Sequence, residues 1–233
     1  MKSTEKISVI MPVYNEERTV RQILDRVLRQ GCVAKVVVVD DSKDRSPDIV
    51  RRRMAKDSRI LLIHNKIPRG KGAALITGIK KVKGGLVLIQ DADSEYFPED
   101  YQKLLDQVSV ENAVFGSRIL GRNVGHQYRL AKLANIAMSA TFSFFFRQRI
   151  TDVYTCYKLF YRNMVDPNRL RHRDFLIETE IAAQIVRNGY KIKEVPIRYN
   201  GRTFEEGKKI NAMDGINGLL YVIKEGISYS FGR

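Results

Sequence analysis

The chain of 233 residues has little of what several protein classes require. It carries two cysteines, Cys32 and Cys156, and three histidines, all scattered. Two cysteines make no disulfide framework, and both are expected to be reduced, as in a cytoplasmic protein. Scattered Cys and His without ligand spacing argue against a zinc site. No stretch of about 18 apolar residues occurs, so no spanning helix is expected. The apolar run over residues 7–13 is too short for a signal peptide and ends in polar Tyr14-Asn15-Glu16. No internal repeat, low-complexity tract or clear linker divides the chain. No helix-turn-helix, zinc-finger or aromatic RNA-binding pattern is present, and no nucleic-acid partner is expected.

What is present is charge and a core. Lys and Arg number 41 against 26 Asp and Glu, a net charge of +15, and 44% of residues are hydrophobic. The chain is long enough to bury a substantial core. Its field attracts phosphates, nucleic acid or an anionic membrane.

Short β-branched runs alternate with helical patterns. Strands are expected over 7–11, 36–39, 60–63, 86–89 and 113–116. Helices are expected over 18–29, from Ser46-Pro47 to 56, over 72–82 and over 98–108. The 18–29 helix carries Val20, Ile23, Leu24, Val27 and Leu28 on one face. This alternation implies an α/β fold with a mainly parallel sheet buried on both faces. The ends of the first, second and fourth strands then meet in one crevice, bringing together Tyr14-Asn15-Glu16, Asp40-Asp41 and Asp91-Ala92-Asp93. Beyond residue 117 a long apolar helix is expected over 130–147, with strands at 157–161 and 192–199, a helix at 178–187 and an apolar helix at 216–227.

The Asp-x-Asp pair is the most informative motif. Two like charges on one face of an extended segment need a cation between them or a raised pKa. Oxygen ligands favour Mg2+ or Mn2+, held partly by substrate phosphates. A solvated strand-to-loop turn is the competing reading. Asn15 could likewise cap the first helix, Asp40-Asp41-Ser42 form an ordinary turn, and Gly70-Lys71-Gly72 a common loop.

Seven motifs occur in order: Pro12-Val-Tyr-Asn-Glu16, Val39-Asp-Asp-Ser42, Lys71-Gly72, Asp91-Ala-Asp93, Gly116-Ser-Arg118, Thr151-Asp152 with Thr155-Cys-Tyr-Lys158, and Arg202 followed by Gly207-Lys-Lys-Ile210. Together they resemble the family-2 glycosyltransferases of the GT-A fold, and most of all the polyprenyl-phosphate (dolichyl-phosphate) sugar synthases. The resemblance covers about residues 5–215. It implies a catalytic domain over 1–213 and a C-terminal helical extension over 214–233.

The resemblance also implies a site. Pro12, Tyr14 and Glu16 line the nucleoside pocket, and Val39 and Asp41 contact base and ribose. Lys71 and Lys208 bind the donor. Asp91, Ala92 and Asp93 hold the nucleotide diphosphate through Mg2+ or Mn2+. Glu95 stands where close relatives commonly have Gln, as a further metal ligand or a solvent-facing group. Arg118, Arg129 and Arg202, with Lys208 and Lys209, match positions of cationic phosphate ligands. Asp152 stands where hydroxyl-transferring relatives place a base, and Glu178 is a candidate ligand of a sugar hydroxyl. The implied reaction is inverting transfer of a hexose from a GDP-mannose or UDP-glucose type donor to a polyprenyl or dolichyl phosphate. The alternative is a hydroxyl acceptor with Asp152 as general base. A lipid acceptor implies a peripheral enzyme at the inner face of the membrane, docked by the 130–146 and 216–231 segments, with a separate membrane-protein partner as one expectation.

Overall fold

The fold is a seven-stranded sheet flanked by helices, in a computed structural model that describes residues 5–121, 129–202 and 212–231, with the side chains at 129–130, 212–214 and 231 outside that description. Its centre is β1 (Ile7–Val13), flanked by β2 (Val33–Asp40) and β4 (Leu86–Ile89), with β3 (Ile60–His64) beyond β2. All four run parallel, and Ile10 pairs with Val37 on one side and Ile89 on the other. Ile10, Val37 and Ile89 are wholly buried, as a parallel sheet covered on both faces requires. Full burial of each such side chain stabilises by about 1.5–3 kcal/mol.

The helices cover this sheet. In α1 (Val20–Leu28) the five apolar residues of the expected face are the buried ones. α2 (Ser46–Met54) starts at Ser46 with Pro47 in its first turn. α3 (Lys71–Lys81) packs close to β1, because a Cβ on Gly78 would stand 2.4 Å from the Ile10 side chain. The expected helix over 98–108 is shorter: a 3-10 turn at Pro98–Asp100 runs into α4 (Tyr101–Leu105).

The second half departs from simple alternation. The sheet continues from β4 to β6 (Lys158–Tyr161), β5 (Asn112–Ser117) and β7 (Lys191–Pro196), in the order β3-β2-β1-β4-β6-β5-β7. β6 is antiparallel to both neighbours, while β5 and β7 pair in parallel. The sheet is therefore mainly parallel, as expected.

α5 (Arg129–Phe146) and α7 (Ala212–Phe231) pair with each other, and α6 (Ile177–Arg187) lies beside α7. Phe146 stacks on Tyr229 at 5.0 Å, and Gly226 admits Phe145, whose Cβ would stand 2.4 Å from an added methyl. Arg187 on α6 pairs with Glu225 on α7 at 2.8 Å. The far sides of the pair expose Leu133, Ile136 and Phe144 on α5 and Ile216, Leu220 and Ile227 on α7. Among the described residues no helix is long and apolar enough to cross a membrane.

Candidate active site

The carboxyl ends of β1, β2 and β4 open onto one cavity of about 330 Å³. Each end is shaped by local hydrogen bonds. After β1 the chain turns at Asn15, which has a left-handed φ of 52° that asparagine tolerates. Asn15 N–H donates to Ser42 Oγ, its Oδ1 accepts from Lys43 N–H, and Glu16 N–H donates to Ser46 Oγ. Asn15 thus ties the β1 loop to the β2 loop instead of capping α1, whose N-cap is Thr19.

β4 ends at Ile89, and Gln90 locks its exit. Buried Gln90 Oε1 accepts from the hydroxyls of Tyr101 and Tyr157, and its Nε2 donates to Asp91 O. Asp91, Ala92 and Asp93 then lie in a turn, with Ser94 at φ 64°. The aspartates share the cavity wall through this turn, and not through one face of an extended strand.

Among the described residues the wall carries six carboxylates (Glu16, Asp41, Asp91, Asp93, Glu95 and Glu178) against three cations (Lys71, Arg118 and Arg202). Lys71 Nζ bridges Asp91 and Glu178, at 2.9 Å from each. Burial disfavours its charge, but the two carboxylates outweigh burial and hold the ammonium well above its usual range. Glu178 Oε2 also accepts from the wholly buried Lys158 at 2.7 Å. Arg202 stands among Glu16, Asp93 and Glu95 at 3.2–3.4 Å. Burial pushes the Asp93 carboxyl well up, and the charges of Glu95 and Asp91 push the same way against Arg202. An acidic wall inside a protein of charge +15 repels a diphosphate unless a cation joins it. The oxygen-only donor set and the surplus of negative charge fit a divalent ion on Asp91 and Asp93. Among the described residues no three carboxylate, His or Cys side chains already converge as a ligand set.

Pro12, Tyr14, Glu16, Asp41, Lys71, Asp91, Ala92, Asp93, Glu95, Arg118, Glu178 and Arg202 all line the cavity. Three of the expected residues are taken up within the protein. Val39 is wholly buried in β2 and absent from the wall, because both faces of that strand are covered. Of the two options for Glu95, facing solvent is ruled out: it is buried on the wall, and its oxygens accept from Tyr199 OH at 2.6 Å and Arg202 N–H at 2.9 Å, so it anchors the Arg202 segment. Asp152 is wholly buried and outside the wall. Its Oδ2 accepts from Arg118 N and Nε, and its Oδ1 from Arg118 Nη2 and Asn135 Nδ2, all at 2.8–2.9 Å. Burial raises its pKa, but the Arg118 fork outweighs burial and holds the carboxyl below its usual range. In this structure Asp152 is committed to Arg118 and Asn135 and does not reach the cavity. Asp41 lines the wall with its oxygens engaged, accepting from Asn65 Nδ2, Arg69 N–H and Gly70 N–H. The Arg129 side chain, Arg122, His126, Lys208 and Lys209 lie outside the described residues.

The sequence reading missed Tyr96, Cys156, Phe175 and Tyr199, which also form the wall. The Arg118 guanidinium lies over the Tyr199 ring at 5.2 Å and Lys71 near Phe175 at 5.7 Å. Tyr96, two residues past Ser94, and Cys156, inside the Thr155–Lys158 motif, had a local signal; Phe175 and Tyr199 arrive from other loops.

Gly70 and Gly72 explain the loop that carries Lys71. Gly70 has φ 92°, and a Cβ on Gly72 would meet His172 O at 2.2 Å. Gly72 N–H donates to Arg173 O at 2.8 Å. Gly72→Ala is expected to cost about 1–3 kcal/mol through overpacking. That lowers Tm by about 2–12 °C at this size. Thermal unfolding checks this.

The seven-stranded sheet with paired carboxylates at a central strand's carboxyl end is the architecture expected for the GT-A fold. Residues 8–172 match the glycosyl transferase family 2 domain, and the chain belongs to that family. It is 29% identical to a dolichyl-phosphate β-glucosyltransferase of Trichomonas vaginalis, over 97% of this chain and 74% of that one. It is 27% identical to an undecaprenyl-phosphate mannosyltransferase of Micrococcus luteus, over 90% of each. The glucosyl-3-phosphoglycerate synthase of Mycobacterium tuberculosis, solved with Mn2+, UDP and phosphoglyceric acid, shares the fold with a TM-score of 0.67 and 18% identity, over 97% of this chain and 78% of that one.

Proposed function

We propose that this glycosyltransferase transfers a hexose from a GDP-mannose or UDP-glucose type donor to a polyprenyl or dolichyl phosphate, with inversion and with Mg2+ or Mn2+ on Asp91 and Asp93. The observation that carries this reading is the wall itself: paired aspartates and the guanidinium groups of Arg118 and Arg202 border one cavity that offers no uncommitted base at Asp152. The bound ion supplies Lewis-acid stabilisation of the leaving diphosphate. Lys71 adds a second charge beside Asp91.

In the transfer an acceptor phosphate oxygen bonds to the anomeric carbon. The bond from that carbon to the donor's phosphate oxygen breaks, and the nucleoside diphosphate leaves with the electron pair. Direct displacement turns an α-linked donor into a β-linked product. A phosphate monoester, with second pKa about 6, is already largely ionised at pH 7 and needs no base. It needs cations of fixed geometry, and arginine forks match phosphate oxygens. Arg118 is fixed by Asp152 and Arg202 by Glu95. The relatives that act on dolichyl and undecaprenyl phosphates support this acceptor class.

The outer faces of α5 and α7 suit a bilayer surface. Their exposed apolar stripes lie beside exposed Lys132, Arg147 and Lys224. Each such cation adds about 1 kcal/mol at an anionic membrane. We assign α7 to this docking role at the cytoplasmic face of the membrane.

Arg202→Ala is expected to raise the apparent KM for a short polyprenyl phosphate about tenfold, with donor KM changed about twofold or less, consistent with loss of a charge-assisted hydrogen bond of about 1.5–3 kcal/mol. Steady-state kinetics in detergent check it. A rise in donor KM alone would move Arg202 to the donor's pyrophosphate and sink this assignment.

A further inference from the structure

Arg202 touches three carboxylates at once: Asp93 Oδ2 at 3.2 Å, Glu16 Oε2 at 3.3 Å and Glu95 Oε1 at 3.4 Å. Three carboxylates therefore converge on one guanidinium. Asp93 belongs both to this cluster and to the Asp91-Ala92-Asp93 turn. A divalent ion on Asp93 and a guanidinium on the same carboxylate repel each other strongly at such distances. The backbone of Arg202 is held separately, its N–H donating to Glu95 Oε1 at 2.9 Å while Tyr199 OH fixes Oε2 at 2.6 Å. The side chain can therefore leave Asp93 without the backbone moving.

We propose that Arg202 stands in for the divalent ion in the metal-free enzyme, and that metal binding at Asp93 displaces its guanidinium and frees it for the acceptor phosphate. This rests on the reading above that Asp91 and Asp93 hold the metal and that Arg202 meets the acceptor. Glu95 is then the positioning residue, the pivot about which Arg202 turns. The consequence is an order of binding. Metal and donor arrive first, and the acceptor phosphate gains its arginine only afterwards.

Mn2+ binding to the whole protein, without nucleotide, tests the competition by loss of the free-ion paramagnetic resonance signal. Arg202→Gln is expected to bind Mn2+ about tenfold more tightly than the wild type, because the competing charge is gone. Unchanged or weaker binding overturns the proposal. The displacement itself is read in the wild type from the Arg202 Nε–H NMR resonance, identified by its absence in Arg202→Gln or, should that variant not fold, in Arg202→Lys. Saturating diamagnetic Mg2+ is expected to shift it toward the position of solvent-exposed arginines. A resonance that stays in place overturns the proposal. If Mn2+ binds the wild type and is lost in Asp93→Asn, but Arg202→Gln matches the wild type, the stand-in role fails and the metal site survives. If neither protein binds Mn2+ even with a nucleoside diphosphate present, both fall.

Discussion

Asp93→Asn should abolish transfer while leaving the protein at least as stable as the wild type. The two halves of this result have one cause. Asp93 is crowded by Glu95 and Asp91 and is buried, so its charge is costly in the folded, metal-free protein. A carboxyl whose folded pKa lies above the unfolded value loses stability as the pH rises through that range. Asparagine keeps the shape and removes the charge, so Tm at pH 7 is expected to hold or rise. The same change removes a metal ligand. Loss of Lewis-acid stabilisation worth several kcal/mol corresponds to about a thousandfold or more in rate. Thermal unfolding and turnover measured on one preparation check both halves. Full activity in this variant would refute the metal role, and a large fall in Tm would refute the electrostatic account.

Asp152→Ala should do the opposite and damage the fold first. Asp152 receives four hydrogen bonds, three of them from Arg118. Removing one member of such a buried pair leaves the other unpaired at a cost of about 3–5 kcal/mol. That lowers Tm by about 6–20 °C. The pH dependence follows from the direction of the shift. The folded pKa lies below the usual 3.8, so the unfolded chain takes up the proton more readily. The stability Asp152 contributes is therefore complete above about pH 4 to 5 and is lost as the pH falls through the folded pKa. In denaturant titrations across pH 3–7 the wild type should lose this contribution on acidification, and the variant should show a flatter acid limb. A base role predicts something else: a stable Asp152→Asn variant whose rate has lost a limb near pH 6–7. That outcome would restore the hydroxyl-acceptor alternative.

The contrast between these aspartates shows what could be read from the chain. Asp91 and Asp93 sit at the end of a fully buried four-residue run, Leu86–Ile89, and the change from apolar to acidic is visible in one line of sequence. Helix α1 and the parallel strands β1 to β4 were legible for the same reason: their burial follows local periodicity. Asp152 and Arg118 are 34 residues apart and joined only by packing, so nothing local distinguishes a sequestered carboxylate from a base. That Val39 is buried and off the wall was not legible, because a strand covered on both faces gives no sign of which residue reaches the edge. The antiparallel direction of β6 was hidden too, since the four residues Lys158–Tyr161 carry no mark of orientation. The burial of Glu95 was not legible because its partner Tyr199 lies more than a hundred residues away. Glycines at 70 and 72 were visible, but their reason, the backbone of residues 172–173 pressed against them, was not.

The most direct test of the central claim is transfer from a panel of nucleotide sugars to a short polyprenyl phosphate in detergent, with Mn2+ or Mg2+ and again with chelator. The account predicts a sugar-phosphate lipid from one donor class, formed with metal and lost with chelator. Product formation undiminished by chelator would contradict the metal site. No lipid product from any donor, together with metal-dependent transfer to a hydroxyl acceptor, would contradict the acceptor assignment.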